Sequence, residues 1–485
     1  MKLNPANLKD GYKADHRRQY VDGTEQVFSN GTARQARDPR FKATVVFSLQ
    51  AFVQDLKDRW QTEFFEQPKE KVVKAYKRRM DNYLGKDAVP VDHIAELWDL
   101  GYLPLRIKAL PEGTLCPIGV PMYTITNTQP EFFWLTNFLE TTMSCNTWQP
   151  ITSATIAFEY RKILTAACLE TNPEAIEFVQ WQAHDFSYRG MPGDEAAARS
   201  GAGHLLSFTG TDTIPAIDYL EQYYGADSDK ELIGGSVPAT EHSVMCMGGK
   251  ETEVETFKRL LNLYKTGIVS VVSDTWDYWD TLTVKAAALK TEIMARNGKL
   301  VFRPDSGDPV KIICGDASAP VGSPQYKGSI QVLFEMFGGT TTSTGFKQLD
   351  THVGLIYGDS ITIERAEEII AGLKAKGFAS TNVVLGVGSY TYQYNTRDTF
   401  GMAIKATYGR INGAPVDMYK DPKTDSGMKK SAKGLLRVND DLTLSQQVSL
   451  SEERQGALKT IFLDGETQNL QTLTQIRTKL LSNLK

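Results

Sequence analysis

From about residue 155 onward, short apolar runs end in loops rich in Gly, Asp, Ser and Arg, and amphipathic helical segments follow. No other feature of the chain restricts its fold as strongly. Gly267 to Asp274 is one such strand, with Ile268, Val269, Val271 and Val272; Lys299 to Asp305, Val353 to Asp359 and Val383 to Gly388 continue the series. Between them, Val254, Phe257, Leu260, Leu261 and Tyr264 share one face of a helix over Glu251 to Lys265. Ile363, Ala366, Ile369, Ile370 and Leu373 do so over Thr362 to Lys376, and Gly377 stands where a helix C-cap glycine is expected. Alternating strands and helices imply a parallel sheet. Closed into a barrel, such a sheet gathers its chemistry in loops at the C-terminal strand ends. A doubly wound open sheet would place ligands there as well.

The flanks read differently. Val91 to Leu100 is helical, and Leu105 to Leu110 and Val120 to Thr126 are strands separated by the Pro111-Glu112-Gly113 turn. After residue 400 the chain is polar and Gly-rich, with a basic loop over Lys420 to Lys433 and a short terminal helix around Leu473 to Leu481. A formal net charge of -4 speaks against a chain built to bind nucleic acid. No apolar run approaches the roughly 18 residues of a bilayer span, and Met1-Lys2-Leu3-Asn4-Pro5 lacks the apolar core of a signal peptide. The cysteines (Cys116, Cys145, Cys168, Cys246, Cys314) are widely spaced and odd in number, with no Cys-x-x-Cys pair. A reduced compartment, the cytoplasm, is the expectation, without disulfide framework or zinc site.

The strand-end loops carry the candidate chemistry. In His184-Asp185-Phe186-Ser187-Tyr188-Arg189-Gly190, a flat heteroaromatic ring can stack on Phe186 and Arg189 can contact a phosphate; the plainer reading is a core aromatic beside a surface arginine. Asp212 in Gly210-Thr211-Asp212-Thr213 is either a turn former or an acceptor for an amide N–H. His242, in Ser236-Val237-Pro238-Ala239-Thr240-Glu241-His242-Ser243, is either a loop histidine or a nucleophile for a phosphoryl group, with Glu241 and Asp274 as carboxylates to orient it. Arg303-Pro304-Asp305-Ser306-Gly307-Asp308 suits phosphate or pyrophosphate at Arg303, and a ribose hydroxyl or Mg²⁺ at Asp305. Tyr357-Gly358-Asp359-Ser360 and Gly386-Val387-Gly388-Ser389 are Gly-rich loops whose backbone N–H groups favour phosphate. Together these residues suit a phosphorylated sugar, pyrophosphate and an aromatic base. A P-loop lysine motif and a dinucleotide glycine fingerprint are both missing.

These strings, in this order, resemble the nicotinamide phosphoribosyltransferases, dimeric type II enzymes of the nicotinate/nicotinamide phosphoribosyltransferase family. The likeness runs from Asp10-Gly11-Tyr12-Lys13 to the Lys420 to Gly434 loop, and includes Glu131 to Glu140, Ser270 to Asp274 and Thr396-Arg397-Asp398. It implies an irregular α/β TIM-like barrel over residues 155–395, with a second α+β domain formed by residues 1–154 and 396–485. It implies a cytoplasmic homodimer joining nicotinamide to phosphoribosyl pyrophosphate (PRPP) with Mg²⁺, its active sites at the subunit interface. Phe186 and a partner subunit's Tyr12 would sandwich the pyridine ring, and Asp212 would accept from the carboxamide. Arg189 and Arg303 would hold phosphate and pyrophosphate, and Asp305 the ribose hydroxyls. Gly358, Asp359, Gly388, Ser389 and Arg397 would surround the nucleotide phosphate and ribose. His242 would be phosphorylated by ATP, with Glu241 and Asp274 beside it, and Arg34, Lys420 and Lys429 would reach phosphates across the interface. The chain departs from the family pattern at Ser187 and Ser389, where the family has glycine, and in the length of the Lys420 to Lys433 loop. Rival expectations are a nicotinate phosphoribosyltransferase, a non-catalytic protein on the same fold, and a barrel glycosidase using Asp305 and Glu241.

Overall fold

The computed structural model describes residues 3–358, 360–419 and 432–484. The chain divides into two compact units, Met1–Thr155 with Leu220–Ala226 and Asn395–Ser482, and Ile156–Tyr219 with Asp227–Tyr394 and Asn483–Lys485. Among the described residues, no helix is long and apolar enough to cross a membrane.

The second unit is built on parallel strands. Ala183–Asp185, Val383–Val387, Val353–Tyr357, Asn297–Arg303 and Thr266–Val272 lie side by side in that order. Two extended segments join the outer edges of this sheet. Isolated parallel bridges link Asp185 to Thr211, Gly210 to Gly235 and Ala239 to Ser270. Backbone bonds from Asp185 N to Gly210 O (3.1 Å), Thr211 N to Gly235 O (3.0 Å) and Thr240 N to Ser270 O (3.0 Å) complete the ring. The sheet therefore closes into an irregular α/β barrel and is not an open doubly wound sheet.

Side chains alternate across the barrel wall, as the pleat requires. Ile268, Ser270, Lys299, Val301 and Arg303 line a cavity inside the ring. Their neighbours Val269, Val271, Leu300 and Phe302 are buried and face the helices. The Phe257 ring of helix Glu253–Leu263 lies 6.4 Å from that of Phe302, so the apolar stripe read from the sequence packs on the outer wall. Helix Ile363–Ala375 does the same with Ile363, Ala366, Ile369 and Leu373, and Gly377 after it takes the left-handed φ of +73°.

The first unit holds an antiparallel sheet ordered Ala414–Asp417, Met402–Ile411, Thr24–Ala33, Pro121–Asn127, Leu105–Ala109, Lys459–Leu463, Glu466–Thr467. Helices Leu49–Trp60, Lys69–Leu84 and Asp92–Leu100 bury Phe52, Leu56, Trp60, Tyr76 and Leu97 in one core with Ile107 and Ile125. The strands over 105–109 and 121–127 pair as neighbours, but Leu115–Pro117 between them leaves to pair with Ala43–Val45. Met402–Ile411 is a ten-residue strand in a region whose composition reads as polar and Gly-rich. Its pairing slips between Phe28 and Ser29, opposite residues 406–408. A bulge of this kind breaks the two-residue rhythm by which strands are recognised.

Candidate active site

Three loops of the second unit converge around the mouth of the barrel. Strand Ala183–Asp185 runs into the turn Tyr188–Gly190, and alternation turns His184 and Phe186 inward together. Both line the cavity of about 370 Å³ that Asp212, Ser236 and Arg303 also line. The His184 and Phe186 rings lie 4.5 Å apart, tilted by 36°. Asp185 points the other way, fully buried, and accepts from Ser187 N at 2.9 Å, which fixes the turn.

Asp212 is placed by its own main chain, whose N–H donates to Asp185 O at 2.9 Å. Its Oδ1 accepts twice, from His184 Nε2 at 2.8 Å and from Ser236 Oγ at 2.8 Å. Burial pushes the Asp212 carboxyl up, but these hydrogen bonds and the charges of His184 and Arg303 outweigh it. The net effect holds it below the usual carboxylate range.

Asp274 is the hub of the next cluster. Its Oδ2 accepts from Asp305 N at 2.9 Å and Ser306 Oγ at 2.7 Å, and its Oδ1 faces His242 Nε2 at 3.2 Å. Asp274 is 3 % exposed and His242 is 48 % exposed, so the carboxylate is fixed while the imidazole meets solvent. Of the two carboxylates expected near His242, only Asp274 reaches the ring. Glu241 is the N-cap residue of helix His242–Gly248, and its carboxylate accepts from Ser243 Oγ.

Two glycines bring further loops together. A Cβ on Gly358 would lie 1.7 Å from Asp305 Oδ1 and 3.5 Å from Arg303 Cδ. A Cβ on Gly190 would lie 2.1 Å from Ser389 Oγ, so the turn bearing exposed Arg189 packs directly on Gly388-Ser389. Arg303 Nε and Asp305 Oδ1 are 3.5 Å apart.

Tyr12, Arg34 and Arg397 belong to the first unit. Tyr12 is 63 % exposed on a firmly held segment. Asp10 N donates to Thr141 Oγ1 at 3.2 Å, and Lys13 pairs with Glu140 at 2.6 Å. Arg34 Nε donates to Gly401 O at 3.0 Å, and Arg37 Nη2 to Thr396 Oγ1 at 3.3 Å, so both stand beside the segment bearing Arg397. Asp359, Lys420 and Lys429 lie outside the described residues. Among the described residues, no three or more His, Cys, Asp or Glu side chains are grouped to hold a metal ion.

His184 and Ser236 escaped the sequence reading as site residues. The signal for His184 was present: two residues before Phe186 on a strand, it shares that residue's face. Ser236 gave none, because only folding brings it to Asp212.

Residues 181–466 match the model of the nicotinate phosphoribosyltransferase (NAPRTase) family. The chain is 54% identical to the nicotinamide phosphoribosyltransferase of Acinetobacter baylyi, over 100% of this chain and 98% of that one. It is 31% identical to the nicotinamide phosphoribosyltransferase of Xanthomonas campestris pv. campestris, over 96% of each. Among solved structures, nicotinate-nucleotide pyrophosphorylase from Pyrococcus furiosus superposes with a TM-score of 0.56 at 14% identity, covering 99% of this chain and 95% of that one. That likeness speaks for the fold. Carried by sequence over most of its length and by a closed, irregular barrel, the chain belongs to the nicotinate phosphoribosyltransferase family.

Proposed function

We propose that this protein is a nicotinamide phosphoribosyltransferase, which joins nicotinamide to PRPP and releases nicotinamide mononucleotide and pyrophosphate in NAD salvage. The observation that carries the choice of base is Asp212, an ionised carboxylate at a barrel cavity that it shares with Phe186 and Arg303. An aromatic amide offers this site a flat face and an N–H. Nicotinate offers a like charge. At about 4 Å and an effective dielectric near 20, that repulsion is on the order of 4 kcal/mol, enough to decide between the two bases.

The reaction breaks the bond from C1 of the ribose to pyrophosphate. The pyridine nitrogen is already a nucleophile, so no strong base is required, and positioning with electrostatics supplies the rate. In this reading Phe186 holds the ring on one face, and Tyr12 of a second copy holds the other. Arg303 and Arg189 bind the pyrophosphate and phosphate. Asp305 takes the ribose hydroxyls, Gly388 and Ser389 give backbone N–H groups to phosphate, and Gly358, whose own N–H donates to Pro304 O at 3.1 Å, lets its loop close on Asp305 beside the nucleotide. Arg34, Arg397, Asp359, Lys420 and Lys429 complete the set by family likeness. The donor set fits Mg²⁺ brought in on substrate oxygens, since Asp305 offers one carboxylate and Mg²⁺ usually retains several waters. Once there, Mg²⁺ would neutralise charge on the leaving pyrophosphate.

ATP acts through His242. Asp274 Oδ1 faces His242 Nε2 at 3.2 Å, and in the tautomer that donates to this carboxylate Nε2 carries the proton. The lone pair is left on Nδ1, on an exposed ring. Attack by Nδ1 on the terminal phosphorus of ATP forms an N–P bond and expels ADP.

The deciding experiment supplies PRPP, Mg²⁺ and either base, with and without ATP, and identifies the mononucleotide formed. Nicotinamide mononucleotide is the expected product, and Asp212→Ser should shift the preference toward nicotinate by a factor of about ten or more. Parent enzyme that favours nicotinate would overturn the proposal. Unchanged selectivity in Asp212→Ser would remove Asp212 from its role.

A further inference from the structure

Asp212 has two carboxylate oxygens, and the fold treats them differently. Oδ1 is the target of both His184 and Ser236, each at 2.8 Å. Oδ2 receives no hydrogen bond from the described residues. His184 is itself buried and closely confined, with the Phe186 ring 4.5 Å from its own. The main chain at Gly210 approaches so near that a Cβ there would lie 2.8 Å from Nδ1. Any other residue at position 210 would displace the imidazole. The carboxylate can only accept, so Nε2 carries the proton and the ring's orientation is set by its partner.

We infer that His184 and Ser236 are positioning residues for base selection: they clamp Oδ1 of Asp212 and leave Oδ2 alone to meet the substrate amide. The inference rests on the assignment of Asp212 made above. Two donors on one oxygen fix the plane of the carboxylate, and they also stabilise its charge, which is what excludes an acidic base. Without His184 the carboxylate can turn about its Cβ–Cγ bond and can share a proton with nicotinate. Preference for the amide then falls, although neither His184 nor Ser236 need touch the pyridine ring.

The test compares kcat/KM for nicotinamide and for nicotinate in His184→Ala, His184→Gln and Ser236→Ala, each alone and combined with Asp212→Ser. His184→Ala should lower the nicotinamide-to-nicotinate ratio about tenfold, the worth of one lost hydrogen bond to a charged group. The loss should fall on KM for the base and leave kcat nearly intact. His184→Gln keeps an N–H donor of similar reach and should recover part of the preference. In the Asp212→Ser background His184→Ala should change the ratio no further, because the residue acts through Asp212. An equal drop in both backgrounds would mean direct contact with the base and would overturn the inference. So would an unchanged ratio in His184→Ala where Asp212→Ser alone collapses it, an outcome that leaves the role of Asp212 standing. Failure of Asp212→Ser to move the ratio removes both. Should His184→Ala fold poorly by circular dichroism, Ser236→Ala, which removes the other donor to Oδ1, makes the same comparison.

Discussion

His242 and Asp274 divide one task by exposure. Asp274 is buried and held by Asp305 N and Ser306 Oγ, so it cannot follow a departing group, while His242 stands in the open. The phosphoryl-acceptor role proposed above for His242 calls for this arrangement: a fixed partner on one ring nitrogen and an accessible ring. His242→Ala is expected to abolish stimulation by ATP while PRPP-dependent turnover persists at the unstimulated rate, measured as nicotinamide mononucleotide formed with and without ATP. ATP stimulation surviving in that variant would sink the assignment. From the sequence alone Glu241 and Asp274 were equal candidates for the histidine's partner. Glu241 is next to the histidine in the chain, but its neighbour Ser243 takes that carboxylate, and a residue 32 positions away reaches the ring.

Among the elements, strand ends were more legible than the contacts between them. Apolar runs at 353–357 and 383–387 stand out because both faces of each are almost wholly buried, and those within 266–272 and 297–303 because Val269 to Val272, Leu300 and Phe302 are buried. The strand Met402–Ile411 does not, since its bulge mixes the phase of buried and exposed residues. Nor could the sequence say that the loop after Tyr357 lies against Arg303 and Asp305. Gly358 is what allows it: a Cβ there would fall within bonding distance of Asp305 Oδ1, so a methyl group must drive the two loops apart. Displacement of a binding group by about 1 Å can cost two orders of magnitude in rate. Gly358→Ala should therefore lower kcat/KM for PRPP by between about tenfold and a hundredfold. Its thermal unfolding should stay close to the parent's, as the change falls in a loop. Parent-like kinetics would show that Asp305 can move without loss.

For the molecule as a whole, folding stability is tied to pH by buried groups of the first unit that have no part in the proposed chemistry. His93, in helix Asp92–Leu100, is packed edge-on against Trp134 at 4.8 Å. Burial, with the charges of Arg17 and Lys9 adding to it, lowers its pKa to about 3. Above about pH 6.5 the ring is neutral in both folded and unfolded chains and costs nothing. Below that, the unfolded chain takes up a proton that the folded one refuses. Stability then falls by about 1.4 kcal/mol per pH unit from this residue until its folded pKa is reached. Glu112 runs the other way. Burial raises it to about 7, against the hydrogen bond from Gln50 N, so its contribution is present below the unfolded pKa and is lost as pH rises through the folded one. His93→Phe, which keeps an aromatic edge for Trp134, should shrink the drop in urea midpoint between about pH 7 and about pH 5. An undiminished drop would assign the acid sensitivity to other groups. None of this was visible in the sequence, where a histidine shortly after Pro90 gives no sign of its depth. The barrel was visible, because alternation of strand and helix is a property of the chain. Its manner of closure was not. The five main strands are joined by ladders, in which each residue's place depends on a neighbour across the gap, but the ring is completed at Asp185–Thr211, Gly210–Gly235 and Ala239–Ser270 by single bridges. Asp212, Ser236 and His242 all sit on or beside those two closing segments. The barrel thus has a seam, and the residues proposed above to choose the base and to take up phosphate are sewn there. If those proposed roles hold, substitutions along the seam alter the choice of base or the use of ATP without recutting the cloth.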